Sequence, residues 1–272
     1  MIPVVIIHLN NSFYLENIIQ RAIKSNNIVY LISNISLPYC NKNFHIIDIN
    51  NLITEDNKKF SDLYEHLHIG SKEYELFCFQ RWFILKEFLI KFDINTAFHI
   101  DSDVLLFAEA QKEWEKYNQY TMTVTHGCSG ASSFFTQDGL EKFTDMLIKI
   151  YQDKTYYFKT LVSKFETMKQ FGTHGGICDM TLLELFKNNH DLGGGFGRVG
   201  EMMQIIDNST YDHNINVSDS DYATANGIKK IEIIDNKISV YNNRLKKNIT
   251  FNALHCQGLS KCHIPTIHNA MP

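Results

Sequence analysis

No stretch of this sequence is apolar for long enough to span a bilayer, and Met1-Ile2-Pro3-Val4-Val5-Ile6-Ile7 lacks the basic flank and cleavage site of a secretory signal. These absences point to a buried strand at the N-terminus and to a cytoplasmic protein, or one peripheral to the inner face of the membrane. Positive charge is not in excess either. With 26 Lys and Arg against 30 Asp and Glu, the formal charge is -4, so neither nucleic acid nor an anionic membrane is the expected main partner. Cys-x-x-Cys is missing, and the six cysteines (Cys40, Cys78, Cys128, Cys178, Cys256 and Cys262) are scattered through mostly apolar segments. That pattern fits reduced thiols better than a disulfide framework. Internal repeats, low-complexity blocks and clear linkers are also absent. What is present is 272 residues with 44% hydrophobic content, enough to bury a full core in one large domain or two fused halves.

Val4 to Leu9 is a continuous apolar run, and after Asn10-Asn11-Ser12 the residues Leu15, Ile18, Ile19, Ala22 and Ile23 recur at helical spacing. Ile28 to Ile32 and Phe44 to Ile49 read as two further strands, with Pro38 and several asparagines marking the loop between them. Tyr74 to Lys91, dense in Phe, Leu and Trp, reads as a buried helix leading into a strand from Phe98. Strands alternating with helices predict a parallel sheet with right-handed crossovers, so the first hundred residues resemble a nucleotide-binding α/β half. Later come a helix over Glu109 to Tyr117, a strand over Tyr120 to Thr125 and a small-residue turn over Gly127 to Ser133. Helices follow at Leu140 to Tyr151, Tyr157 to Met168 and Cys178 to Phe186. A hairpin over Ile228 to Val240 turns at Asp235-Asn236-Lys237, and a last strand covers Ile249 to Leu254.

The chemistry concentrates in Phe98-His99-Ile100-Asp101-Ser102-Asp103-Val104-Leu105-Leu106-Phe107. This reads as a strand that ends in Asp-x-Asp, so alternation would point Asp101 and Asp103 the same way, and two anions held so close repel unless a cation sits between them. Hard oxygen ligands suit Mn²⁺ or Mg²⁺. The position just past the carboxyl end of a strand is also where open α/β sheets bind ligands. A polar turn capping a buried strand is the plain alternative. A second polar cluster, His255-Cys256-Gln257-Gly258-Leu259-Ser260-Lys261, again follows a strand.

His-x-x-Gly-x-x-Lys after a late strand, combined with an earlier apolar strand ending Asp-x-Asp, resembles the retaining glycosyltransferases of family eight, the group of glycogenin and the bacterial lipooligosaccharide galactosyltransferases. The resemblance implies an α/β GT-A fold, a Rossmann-like mixed sheet flanked by helices, spanning 1–272 as a single catalytic domain. Residues 1–107 would form the nucleotide-sugar half, and 108–272 the acceptor half with the C-terminal metal and phosphate motif. It further implies Asp101, Asp103 and His255 as ligands of Mn²⁺ or Mg²⁺, with Gly258 and Lys261 meeting the phosphates of a nucleotide-diphosphate sugar, most simply a UDP-sugar. Arg81 would contact the donor, Ser129 and Gly130 would line the donor sugar, Asp179 would lie near the reacting carbon or the acceptor, and Asn10 would face the base or ribose. The acceptor would be a glycan or lipid-linked glycan, as in bacterial surface polysaccharide synthesis. Cys262 and His263 stand where the family has Pro-Trp after the lysine, which leaves the stereochemistry open.

Several of these residues have plainer readings. Arg81 could pair with Glu75 or Glu87 on its own helix, Asp179 could simply favour a helix N-terminus, and a histidine after a strand is commonly structural. Gly195-Phe196-Gly197-Arg198-Val199-Gly200 matches a dinucleotide fingerprint but follows a helix end rather than a strand, so it reads as a loop. Asp219-Ser220-Asp221 reads as a turn, and His255, Cys256, Cys262 and His263 are poorly spaced for zinc. Two rival functions are a catalytically inactive sugar-nucleotide-binding protein and a haloacid dehalogenase-type phosphatase. The phosphatase requires Asp-x-Asp on the first strand and a later acidic Gly-Asp-x-x-x-Asp cluster, and the sequence has neither.

Overall fold

The computed structural model describes residues 1–37, 41–195, 197–216 and 221–271. The chain opens with strand β1 (Val4–His8), helix α1 (Leu15–Ser25), β2 (Val29–Ser33) and β3 (Phe44–Asp48). Helices α2 (Glu55–Leu63) and α3 (Lys72–Lys91) follow, then β4 (Thr96–Asp101), β5 (Val104–Leu106), α4 (Ala110–Tyr117), β6 (Met122–Val124) and β7 (Ser132–Thr136). Three helices come next, α5 (Gln137–Asp153), α6 (Tyr156–Gln170) and α7 (Asp179–Asn188). The C-terminal region holds β8 (Val199–Glu201), β9 (Ser209–Tyr211), β10 (Thr224–Ala225), β11 (Ile228–Lys229), β12 (Ile231–Ile234), β13 (Lys237–Asn242), β14 (Lys247–His255) and α8 (Ile264–Ala270).

Seven strands form a central sheet in the order β3-β2-β1-β4-β7-β6-β8. The β3-β2-β1-β4 side is parallel, as expected, whereas β7 runs antiparallel to both β4 and β6. Alternation along β1 places the two layers of the core. Val5 and Ile7 face one cluster with α2, α3, α5 and α7, while Val4 and Ile6 face the other with α1, β5 and the C-terminal strands. Helix α3 lies in the first cluster. Ser71 caps it by accepting from the Tyr74 N–H at 3.3 Å, and Phe79, Trp82, Phe83, Leu85 and Phe88 are fully buried along it. Each such side chain contributes about 1.5–3 kcal/mol through burial, which holds the helix firmly against the sheet. The stripe Leu15, Ile18, Ile19 and Ala22 buries α1 on the opposite layer.

The run Phe98 to Phe107 is not one strand. β4 ends at Asp101, Ser102 and Asp103 form a turn, and β5 leaves for a second sheet ordered β12-β13-β14-β5, in which Val104 pairs with His255. The two carboxylates are therefore brought together by the change of sheet rather than by alternation, and the same crossover sets His255 beside them. The small-residue turn expected over Gly127 to Ser133 is also shorter than its sequence suggests. A single turn at His126–Cys128 gives way to β7, where Ser132 and Ser133 are fully buried and the Ser133 hydroxyl donates to the Thr123 carbonyl. The hairpin is as anticipated: Asp235 and Asn236 both have positive φ, the conformation of a tight β12–β13 turn. The expectations on Pro38, Cys40, Phe196, Asp219 and Ser220 lie outside the described residues.

Candidate active site

Asp101 is the last residue of β4, facing a cleft of about 460 Å³ that opens between the carboxyl ends of β1 and β4, helix α3 and Lys261. Its Oδ1 accepts from Arg81 Nη1 at 2.8 Å and lies 3.1 Å from His99 Nε2. The other ring nitrogen of His99 lies 3.1 Å from the Val5 carbonyl. Burial pushes the Asp101 carboxyl upward, but Arg81 and then His99 outweigh that and hold it far below the usual carboxylate range. Arg81 also reaches the first residue of α7, donating from Nη2 to Asp179 Oδ2 at 2.6 Å, and Trp82 Nε1 donates to the same oxygen at 3.0 Å. The guanidinium thus ties the end of β4 to the start of α7. Its partners are these two aspartates and not Glu75 or Glu87. Asp179 opens a helix, as its plainer reading has it, and is also clamped to Arg81.

Asp103 sits in the turn between the sheets and looks toward the C-terminal motif. Its Oδ1 is 3.3 Å from His255 Nε2, and its Oδ2 is 3.2 Å from Lys261 Nζ. Burial lowers the His255 pKa, but the hydrogen bond and charge of Asp103 more than reverse this, so the imidazole holds its proton more strongly than usual. Lys261 shows the same balance: partial burial opposes its charge, and Asp103 raises it overall. Its ammonium also sits 5.5 Å from the Tyr14 ring centroid.

Ligand atoms of Asp101, Asp103 and His255 all lie within 4.8 Å of one another, and no other such group of three exists among the described residues. That separation is close to the span across one ion with bonds of about 2.1 Å, and two carboxylate oxygens with one imidazole nitrogen form a donor set suited to Mn²⁺ or Mg²⁺. Of the cysteine and histidine decoys, Cys256 is buried and Cys262 exposed, and neither joins the group.

Asn10, Arg81, Asp101, Asp103 and Lys261 line the cleft, with His255 behind Asp103 and Asp179 behind Arg81. Asn10 has a φ of 65°, and its N–H is held by Asn34 Oδ1 at 2.8 Å. Ser129, Gly130 and Gly258 do not line the cleft. A Cβ on Gly130 would lie 2.5 Å from Trp82 Cη2, so packing against the indole accounts for this glycine. The buried Ser129 hydroxyl accepts from the Ala131 N–H, and Gly258 has a φ of 63° with open space around it. The sequence reading did not single out His8, Tyr74, Cys78, His99 or Ser102. Two signals pointed to some of them: His99 is two residues before Asp101 on one strand, and Tyr74, Cys78 and Arg81 follow the i, i+4, i+7 spacing of one helix face. His8 joins the site by bridging Ser102 Oγ at 2.8 Å and Ser12 Oγ at 3.0 Å.

No family model matches the sequence, and no curated protein matches it. The fold, however, has counterparts among solved structures. Galactosyltransferase LgtC in complex with donor and acceptor sugar analogs is 12% identical and superposes with a TM-score of 0.50, over 99% of this chain and 96% of that one. This chain has the GT-A glycosyltransferase fold. An active-site mutant of LgtC matches to the same extent. Mouse xyloside xylosyltransferase 1 in its apo form is 10% identical with a TM-score of 0.48, covering 74% of this chain and 84% of that one. Within the GT-A fold, the Asp101-Ser102-Asp103 turn stands at the carboxyl end of a central strand, where a parallel sheet binds its ligand. No helix among the described residues is long and apolar enough to cross a membrane.

Proposed function

We propose that this protein is a metal-dependent glycosyltransferase that moves a sugar from a nucleotide-diphosphate sugar, in the first instance a UDP-sugar, to a glycan or lipid-linked glycan acceptor. The observation that carries the reading is the convergence of Asp101, Asp103 and His255 within 4.8 Å, with Asp101, Asp103 and Lys261 on the wall of an open cleft and His255 behind Asp103. A bound Mn²⁺ or Mg²⁺ would supply Lewis-acid neutralisation of the departing diphosphate. Lys261 meets the same developing charge from the protein side, and a fixed cation placed there favours the transition state over the ground state. Arg81 and Asp179 hold the donor-sugar side. Because Arg81 and Trp82 both bond to Asp179 Oδ2, that carboxylate is held stationary, which suits electrostatic support in a retaining reaction better than a mobile general base. Asn10 and the end of β1 face the nucleoside. A cytoplasmic role in bacterial surface polysaccharide synthesis accords with the resemblance to the lipooligosaccharide galactosyltransferases.

Nucleotide release from a panel of UDP-, GDP- and CMP-sugars, with Mn²⁺ and then with EDTA, tests the reading. Release from one donor that stops in EDTA is the expected result. The proposal fails if no donor is turned over and calorimetry with the same panel shows no binding.

A further inference from the structure

His255 is held by more than its neighbours in the cleft. Its Nδ1 lies 2.6 Å from the His213 carbonyl, and since a carbonyl only accepts, Nδ1 carries the hydrogen and Nε2 is the nitrogen turned to Asp103. Two buried charges fix that carbonyl. Asp212 Oδ2 accepts from the His255 N–H at 3.2 Å, and Asp212 Oδ1 is 2.9 Å from Lys229 Nζ. The same ammonium donates to the Asn214 carbonyl at 2.8 Å, so aspartate and lysine brace both sides of His213. The backbone completes the clamp: the Asp212 N–H donates to the Ala253 carbonyl at 3.1 Å, and the Ile215 N–H to the His255 carbonyl at 2.9 Å. Asp212 and Lys229 are each 2% exposed, and neither lines the cleft, so neither is placed to touch a donor. A fully buried ion pair is an expensive way to stabilise a fold, because an apolar pair of similar volume serves as well or better.

We propose that Asp212 and Lys229 are positioning residues: together they hold the 212–214 segment so that His255 keeps its hydrogen on Nδ1 and presents Nε2 to the metal. Partners of this kind fix ring orientation and ligand strength, and their loss typically weakens metal binding by about 10- to 100-fold. The inference rests on the metal-site reading above.

The test uses the full chain and Mn²⁺ alone. Calorimetric Mn²⁺ affinity and the ¹⁵N NMR signature of the His255 ring are compared for the wild type, Asp212→Asn and the double variant Asp212→Asn/Lys229→Met. The double variant removes both buried charges at once, so it leaves no unpaired ion in the core and serves if the single variant does not fold. At a pH above the folded His255 value, where the ring is neutral, the expected result is a wild-type ring with hydrogen on Nδ1, a shift of the population toward Nε2–H in the variants, and a fall of about 10- to 100-fold in Mn²⁺ affinity. A folded variant that keeps both the wild-type tautomer and the wild-type affinity overturns the proposal. If the wild type itself does not bind Mn²⁺, the metal reading fails, and the tautomer comparison still decides whether the pair positions the ring.

Discussion

Asp101 and Asp103 are separated by one residue yet belong to differently built regions. Asp101 belongs to the α3–β4–α7 side, where Arg81, with its side chain 14% exposed, bonds two carboxylates at 2.8 and 2.6 Å. Asp103 belongs to the crossover between the sheets, where its partners are an imidazole at 3.3 Å and a lysine whose side chain is 34% exposed at 3.2 Å. The first set is short, planar and multiply bonded, the geometry of a permanent tie. The second is longer and made of groups that can release the carboxylate, one by losing a proton and one by swinging into solvent. The α3–β4–α7 side of the cleft is therefore rigid, and the crossover side exchangeable.

The largest effect tests the permanent tie. Replacing Arg81 by Met leaves Asp179 buried and without its cation, and breaking a buried pair by removing one partner costs about 3–5 kcal/mol. Urea unfolding is expected to show that loss as a lower midpoint with an unchanged slope. A loss below about 1 kcal/mol is the value for an exposed pair and would erase the distinction between the two regions. Asp103→Asn tests the exchangeable side. It removes a hard anionic ligand while keeping the shape, so the fold is retained, Mn²⁺ binding is lost and turnover falls by about 10²–10³-fold. Full turnover in this variant would assign the metal role to other residues.

The same contrast explains what the sequence disclosed. The elements of the rigid half announce themselves by apolar runs and helical spacing, because β1, β2 and β4 are buried through most of their length and α3 buries a dense aromatic and aliphatic stretch from Phe79 to Leu89. Helix α2 did not, since only Asn57 and Phe60 of its nine residues are buried, even though Thr54 followed by Glu55 and Asp56 is a fair N-terminal signal. β7 hid because Ser132 and Ser133 mimic a turn, and only the Thr123 carbonyl of the neighbouring β6 supplies the hydrogen bond that makes a buried Ser133 acceptable. The cluster of Asp101, Asp103 and His255 was legible because carboxylates and a histidine at the ends of apolar strands are locally odd. Strand alternation does not set Asp101 and Asp103 together; a change of sheet does, and that cannot be seen in a tripeptide. His99 was marked only by standing two residues before Asp101, and the Asp212–Lys229 pair, which meets His255 from a distant part of the chain, carries no local oddity.

A pH series sharpens the contrast further. The raised pKa of His255 stabilises the metal-free fold fully below the ordinary histidine value of about 6.5, and that contribution disappears as pH rises through the folded value. Metal needs the neutral ring, so Mn²⁺ affinity should move the opposite way, rising by at most about tenfold per pH unit across the window above about 6.5. Asp101, whose pKa is depressed, stays ionised throughout and adds no slope there. Calorimetry across this range should give a rising profile, and His255→Ala should flatten it. A flat wild-type profile would mean that His255 gives up no proton on binding.

The smallest effect separates the two partners of Asp103. In the metal-free protein Lys261 lies against the Asp103 carboxylate, so Lys261→Met removes a competitor as well as the proposed phosphate contact. A single-bonded pair that is open to solvent on the lysine side is worth about 1 kcal/mol, and Mn²⁺ alone should therefore bind Lys261→Met up to about fivefold more tightly than wild type. The nucleotide-sugar complex should respond in the opposite sense, because the ammonium that neutralises the diphosphate is gone, and donor affinity should fall while the fold remains intact. The opposed signs are what a displaceable cation requires. If Lys261 were a structural tie like Arg81, its removal would weaken Mn²⁺ binding and stability together, and the two carboxylates would belong to one rigid site after all.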